Sequence, residues 1–80
     1  MLETLKAKAR HRRIRNAARD ITRAAWLHSR IPDTADPDPA ALTALLFGRH
    51  QIHIKPDQAT AYLDAALAEQ GLTRPPTQTT

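Results

Sequence analysis

Apolar residues recur at helical spacing in three stretches of this 80-residue chain, and prolines or glycines punctuate the boundaries between them. Between residues 11 and 29 the spacing puts Ile14, Ala17, Ala18, Ile21, Ala24, Ala25 and His28 on one side of a helix, at 100° per residue. Lys8, Arg12, Arg15, Arg19, Arg23 and Arg30 fall on the other side. The pattern predicts a basic amphipathic helix that ends by Ile31, because Pro32 disfavours helical geometry in the residue before it. Residues 1–11 have helix-forming composition, but their apolar positions do not continue the stripe, and Arg10 projects from its apolar side. A mobile basic arm is expected there.

The second stretch opens at Asp38-Pro39. A carboxylate at the N-cap can accept orphan amide hydrogens, and proline at the first helical position loses no hydrogen bond. A helix over 39–47 follows, with Leu42, Leu45 and Leu46 inward and Gly48 placed to end it. Gln51 to Lys55 alternate polar and apolar residues around Ile52 and Ile54, which predicts a short strand or extended segment at 51–55. Pro56 and Asp57 then start a third helix, whose inner stripe is Ala59, Tyr62, Leu63, Ala66 and Leu67. Gly71 in a left-handed conformation would let Leu72 fold back on Leu67, as in a Schellman cap.

Two stretches lack such periodicity. Residues 32–39, PDTADPDP, alternate proline and aspartate and read as an acidic connector or hinge. Residues 73–80, TRPPTQTT, have no apolar side chain to offset the entropy of ordering and read as a disordered tail. The expected fold is therefore all-α, a small three-helix domain over 12–72 with a long basic N-terminal helix.

Composition narrows this picture. Fifteen large apolar residues between Ile14 and Leu72 suffice for one modest core, and a chain this short has little stability to spare. The absence of cysteine rules out disulfides and thiolate metal sites. Charged residues stand where a signal peptide needs an apolar run, and no stretch approaches a membrane span, so a cytoplasmic protein is expected. Fifteen alanines and more arginine than lysine match the usage of a GC-rich bacterial genome.

Charge is what suggests a function. The net charge is +4, yet residues 1–30 carry nine Lys or Arg against two acids, while residues 31–80 carry three against six. Cations spaced along one helix side track a polyanion and release counterions on binding, so Lys8, Arg12, Arg15, Arg19, Arg23 and Arg30 are candidate phosphate contacts. The competing reading folds Asp33, Asp36, Asp38, Asp57, Asp64 and Glu69 back over that face. Trp26, the sole tryptophan, sits within reach of Arg23 and Arg30. It is suited either to stacking on a base or to packing beneath the Pro32–Pro39 segment.

Other chemistries fit poorly. Asn16-Ala17-Ala18 differs from the basic region of leucine-zipper factors, where the asparagine precedes the alanine pair by three residues, and no leucine heptads follow. A helix-turn-helix formed by the second and third helices would have too long a connection and an acidic recognition helix, although Arg49, His50, His53 and Lys55 in the connection could touch a nucleic-acid backbone. His50 and His53 lack further metal ligands, and no cofactor is implied. His28 and Ser29 are neighbours pointing apart, and glycine occurs only at 48 and 71, which leaves no phosphate loop. The alanine-rich inner side offers a lipid surface little area.

The sequence thus points to a non-enzymatic nucleic-acid-binding accessory protein. The alternative is a protein-interaction or inhibitor module whose basic helix docks on an acidic partner. Alanine-rich helices approach closely, so the Ile14, Ala18, Ile21, Ala25 stripe is also expected to form a homodimer.

Overall fold

The computed structural model describes the backbone of residues 2–76 and the side chains of residues 4–76. Among the described residues the chain forms three helices: α1 (Leu2–Leu27), α2 (Pro39–His50) and α3 (Pro56–Glu69). All three pack on one another around a single core, so the all-α three-helix expectation holds.

Helix α2 starts as its sequence dictates. Asp38 is in extended geometry, and its Oδ1 accepts from the Ala40 amide at 2.9 Å, with Pro39 in the first turn. Helix α3 follows the same logic through Pro56, while Gln58 Oε1 reaches back to accept from the Lys55 amide at 3.0 Å. At its other end Gly71 adopts φ +68°. The Leu72 amide donates to the Leu67 carbonyl at 2.9 Å and that of Gly71 to Ala68 at 3.2 Å, which is the Schellman pattern.

Ile14, Ala18, Leu42, Leu46, Ala59 and Leu63 form the centre of the core, with Ile52 closing it from the α2–α3 connection. Ile21, Leu45, Ile54 and Tyr62 pack against its margin. On α1 the buried arc includes Thr22, fully buried, while Ala24 is exposed, as is His28 just past the helix end. Helices α2 and α3 cover α1 from two directions, and this widens the arc toward Thr22 and away from Ala24.

Five expectations are corrected here. First, α1 begins at Leu2 and not near residue 11: helical hydrogen bonding continues through the basic segment, and Arg10 and His11 are tied to the body. Second, α2 runs through Gly48 to His50, because Gln51 takes the left-handed position at φ 54° and the amides of Gln51 and Ile52 turn back to Phe47 and Leu46. Third, of the two readings of residues 51–55, strand or extended segment, the strand is the one that fails. These residues alternate as predicted, with Ile52 buried and Ile54 half-buried, but no second strand lies beside them among the described residues.

Fourth, the acidic connector is not a free hinge. Thr34, Ala35 and Pro37 are buried in it, and Thr34 Oγ1 donates to the Ile31 carbonyl at 2.8 Å. Fifth, the start of the tail is ordered. Thr34 and Thr73 form a parallel bridge, in which the Ala35 amide donates to Thr73 and the Thr73 amide to Asp33. Arg74 then donates to Asp64 Oδ1 at 3.0 Å and 3.1 Å and to Asp36 Oδ1 at 3.2 Å. Main-chain hydrogen bonds and a shared guanidinium thus do what apolar burial cannot do in this segment. Residues 77–80 lie outside the described residues.

The stripe expected to form a homodimer is also spoken for. Ile14 and Ala18 are covered by α2 and α3 within one chain, and Ile21 and Ala25 are half-buried beside them, so the centre of the stripe is taken up by the chain's own core.

Thr22 is the one described residue whose buried side-chain oxygen has no hydrogen-bond partner. A buried unpaired hydroxyl carries a desolvation penalty of roughly 1–3 kcal/mol. Thr22→Val keeps the branched shape, and it is expected to raise the melting temperature, by several degrees for about 1 kcal/mol in a domain of this size. Calorimetry checks it, and an unchanged or lower melting temperature contradicts it.

Candidate nucleic-acid interface

The candidate cations of α1 are spread over its outer side and the flank that faces α3. Arg12 and Arg23 project opposite Ile14 and Ile21 at 100° per residue, while Lys8, Arg15 and Arg19 lie toward the flank that faces α3. Lys8, Arg12, Arg15 and Arg23 are all exposed. Arg30 is exposed as well, but it stands beyond the end of α1 in the turn that leads into the connector. Leu27 is the last helical residue, and the Ser29 hydroxyl, 2.7 Å from Thr34 Oγ1, fastens that turn.

Arg19 behaves differently from its neighbours. Its guanidinium grips the Glu69 carboxylate with two nitrogens, Nε donating to Oε2 at 3.2 Å and Nη2 to Oε1, and both side chains remain partly exposed. Gln70 Nε2 donates to the Arg19 carbonyl at 3.5 Å and pins the same two helices. The hydrogen bond from Arg19 holds the Glu69 carboxyl below the usual carboxylate range. Burial opposes this, while the charges of Arg19 and Arg15 add to it. The same pairing raises Arg19 above its ordinary value. Arg19 therefore serves as a strut between α1 and α3, and its assignment as a phosphate contact is revised to a neutralised position.

Apart from that strut the acidic half does not fold over the basic helix. Among the described residues the ion pairs are Arg19–Glu69, Arg74–Asp36 and Arg74–Asp64. Asp38 is occupied with the start of α2. Arg74 gathers carboxylates that could otherwise have turned toward α1, and no side chain in the tail signals this without the fold. Lys8, Arg12, Arg15, Arg23 and Arg30 have no carboxylate within 4.0 Å among the described residues.

Two further cations are placed by the structure on the opposite flank of α1. Arg10 Nη2 donates to the His53 carbonyl at 2.9 Å, which brings the α2–α3 connection alongside, and Arg13 is exposed nearby on the helix. A single charged side at helical spacing includes neither Arg10 nor Arg13, so the sequence pattern alone leaves both out of the interface. His11 Nδ1 lies 2.7 Å from the Tyr62 hydroxyl, with the rings 5.3 Å apart. An open groove of about 640 Å³ runs between α1 and α3 past His11, Arg15, Tyr62 and Glu69, over the methyl groups of Ala61 and Ala65.

Trp26 is 44% exposed, and the connector does not bury it. The aromatic contacts of the described residues are His11–Tyr62 and Phe47–His53, so neither involves Trp26. Leu27 at 66% and Ile31 at 50% exposure stand at the same end of α1. None of the described helices is long and apolar enough to cross a membrane.

The strut yields a prediction. Because the folded pKa of Glu69 lies below its unfolded one, the pair contributes stability above the unfolded carboxylate pKa of about 4.3, and that contribution is lost as pH falls through the folded value. Glu69→Gln should flatten this part of the acid-stability curve. It should also leave the Arg19 guanidinium without its carboxylate partner, and the salt slope of polyanion binding should steepen by about 0.9. Urea titrations from pH 3 to 7, with binding measured on the same variant, check both effects, and unchanged polyanion binding contradicts the second.

Comparison of the chain with protein-family models, curated proteins and solved structures finds no match.

Proposed function

We propose that this chain is a non-enzymatic nucleic-acid-binding protein that holds phosphates on the exposed cations of α1 and on Arg30 in the turn that follows it. One observation carries the reading: Lys8, Arg12, Arg15, Arg23 and Arg30 stay exposed and without a carboxylate partner among the described residues, although the chain supplies six acids after residue 30. A solvated row of cations at helical spacing, held on a body that does not neutralise it, attracts polyanions and gains from counterion release. Binding of this kind needs no nucleophile, metal or cofactor, and none is assigned. The test is fluorescence anisotropy with a labelled DNA duplex at increasing salt. Binding that weakens steeply and linearly on a log–log plot supports the reading, and no binding at low ionic strength overturns it.

A second reading has its own observation. Trp26, Leu27 and Ile31 are large, apolar and exposed at one end of the basic helix, a combination that suits a protein partner bearing acidic and apolar side chains. A chain that passes through a DNA column at low salt, yet holds an acidic protein in a complex lost on Trp26→Asp, favours that reading over the first.

A further inference from the structure

The cations of residues 6–15 form two rows. This decapeptide, KAKARHRRIR, holds six Lys or Arg and no acid. At 100° per residue Lys8, Arg12 and Arg15 make one row, and Lys6, Arg10 and Arg13 make another about 160° around the helix. Polyanion contact along one side of α1 uses only the first row.

The fold places its body in the gap between the two rows that Ile14 and Ala18 occupy. The opposite gap, which faces away from the body, holds exposed Leu5 and Asn16 with the small, half-covered Ala9 between them. Arg10 is exposed, and of its guanidinium nitrogens only Nη2 bonds the His53 carbonyl. Helix α1 is also far longer than its partners: its 26 residues span roughly 39 Å, against about 21 Å for the 14 of α3. Its first buried residue is Ile14, and the only side-chain ties to the body before it among the described residues are those of Arg10 and His11. Residues 4–9 therefore extend α1 past its last ties to the body.

We infer that residues 4–16 of α1 enter the major groove of duplex DNA, with the two rows of cations meeting the phosphates on the two walls and the body remaining outside. The inference rests on the nucleic-acid reading above and adds the form of the nucleic acid. An α-helix with side chains is about 10–12 Å across, and the B-form major groove is about 12 Å wide. Leu5 and Asn16 face the floor, where an apolar side chain meets a thymine methyl group and an asparagine amide pairs with an adenine edge. Farther along α1, Asp20 and Glu69 bring negative charge to both flanks, so the inserted segment ends near Asn16. An A-form duplex has a major groove too narrow and deep for a helix, and a single strand offers one wall only.

The probes are a 16-base-pair DNA duplex, the RNA duplex of the same sequence and one of the DNA strands, each titrated at several salt concentrations. The DNA duplex is expected to bind at least about tenfold tighter than either alternative, as a groove that fits only one of the three implies. The double variant Lys6→Gln/Arg13→Gln removes two exposed cations from the second row, and circular dichroism confirms that it folds. It should lower the salt slope on the DNA duplex by about 2, as much as Lys8→Gln/Arg12→Gln does in the first row. Equal binding to the DNA and RNA duplexes, tighter binding to the single strand, or a second-row variant that binds like the parent overturns the groove and leaves the nucleic-acid reading standing. No binding to any of the three at low salt overturns both.

Discussion

Replacing Lys8, Arg12 and Arg15 together by glutamine is expected to lower the salt slope of duplex DNA binding by about 2.7, since each phosphate contact contributes about 0.9. Raising salt from about 50 to 200 mM should then cost the variant about 40-fold less affinity than it costs the parent chain. All three side chains are exposed on α1 and unpaired with any carboxylate among the described residues, so their loss leaves no buried charge behind. Glutamine matches lysine and arginine closely in helix propensity, and the melting temperature should stay within a degree or two. Arg74→Gln is the matching control. It removes the same charge, but from a residue already engaged with Asp64 and Asp36, and it should leave the slope nearly unchanged while lowering stability. Anisotropy titrations on the two variants decide the matter. Equal slopes in the triple variant and the parent chain would remove α1 from the binding surface.

The largest effect on the fold is expected at Leu63. It is fully buried at the middle of α3, in the same cluster as Ile14, Leu42, Leu46 and Ala59. Truncation to alanine deletes three carbons from a core with few large residues, a change that costs about 2–5 kcal/mol. At roughly 0.05–0.15 kcal/mol per residue the whole chain has about 4–12 kcal/mol of stability, so Leu63→Ala should leave a substantial fraction of molecules unfolded by 37 °C. The alanine-rich character of α1 makes this sharper, because Ala17 and Ala18 have only methyl groups to offer the same core. Ile31→Ala is the contrast: a side chain of leucine size that is half exposed, whose loss should change stability by less than about 1 kcal/mol. Urea unfolding followed by circular dichroism at 222 nm checks both, and a midpoint for Leu63→Ala close to that of the parent chain contradicts the assigned core.

Much of the architecture was legible from residue spacing because local chemistry sets it. Asp38-Pro39, Pro56 and Gly71-Leu72 mark helix ends through hydrogen bonds made within a few residues, and those bonds are present. The inner stripes of α2 and α3 follow from the 3.6-residue period. The basic side of α1 was equally plain, as was the exclusion of disulfides from a chain without cysteine.

What required the tertiary structure was every pairing between residues distant in sequence. Arg19 and Glu69 stand 50 positions apart, and Arg74 and Asp36 stand 38 apart. No periodicity announces which of six acids a given arginine will meet, and that choice decides which cations remain free. The order of the connector and of Thr73 and Arg74 is of the same kind, since their hydrogen bonds exist only when a mid-chain segment and the start of the tail lie side by side. The stripe read as a dimer surface was correct as an apolar face, but the sequence could not say that α2 and α3 would cover it. Periodicity identifies a side that must be buried, whereas only the packing of the whole chain determines what buries it.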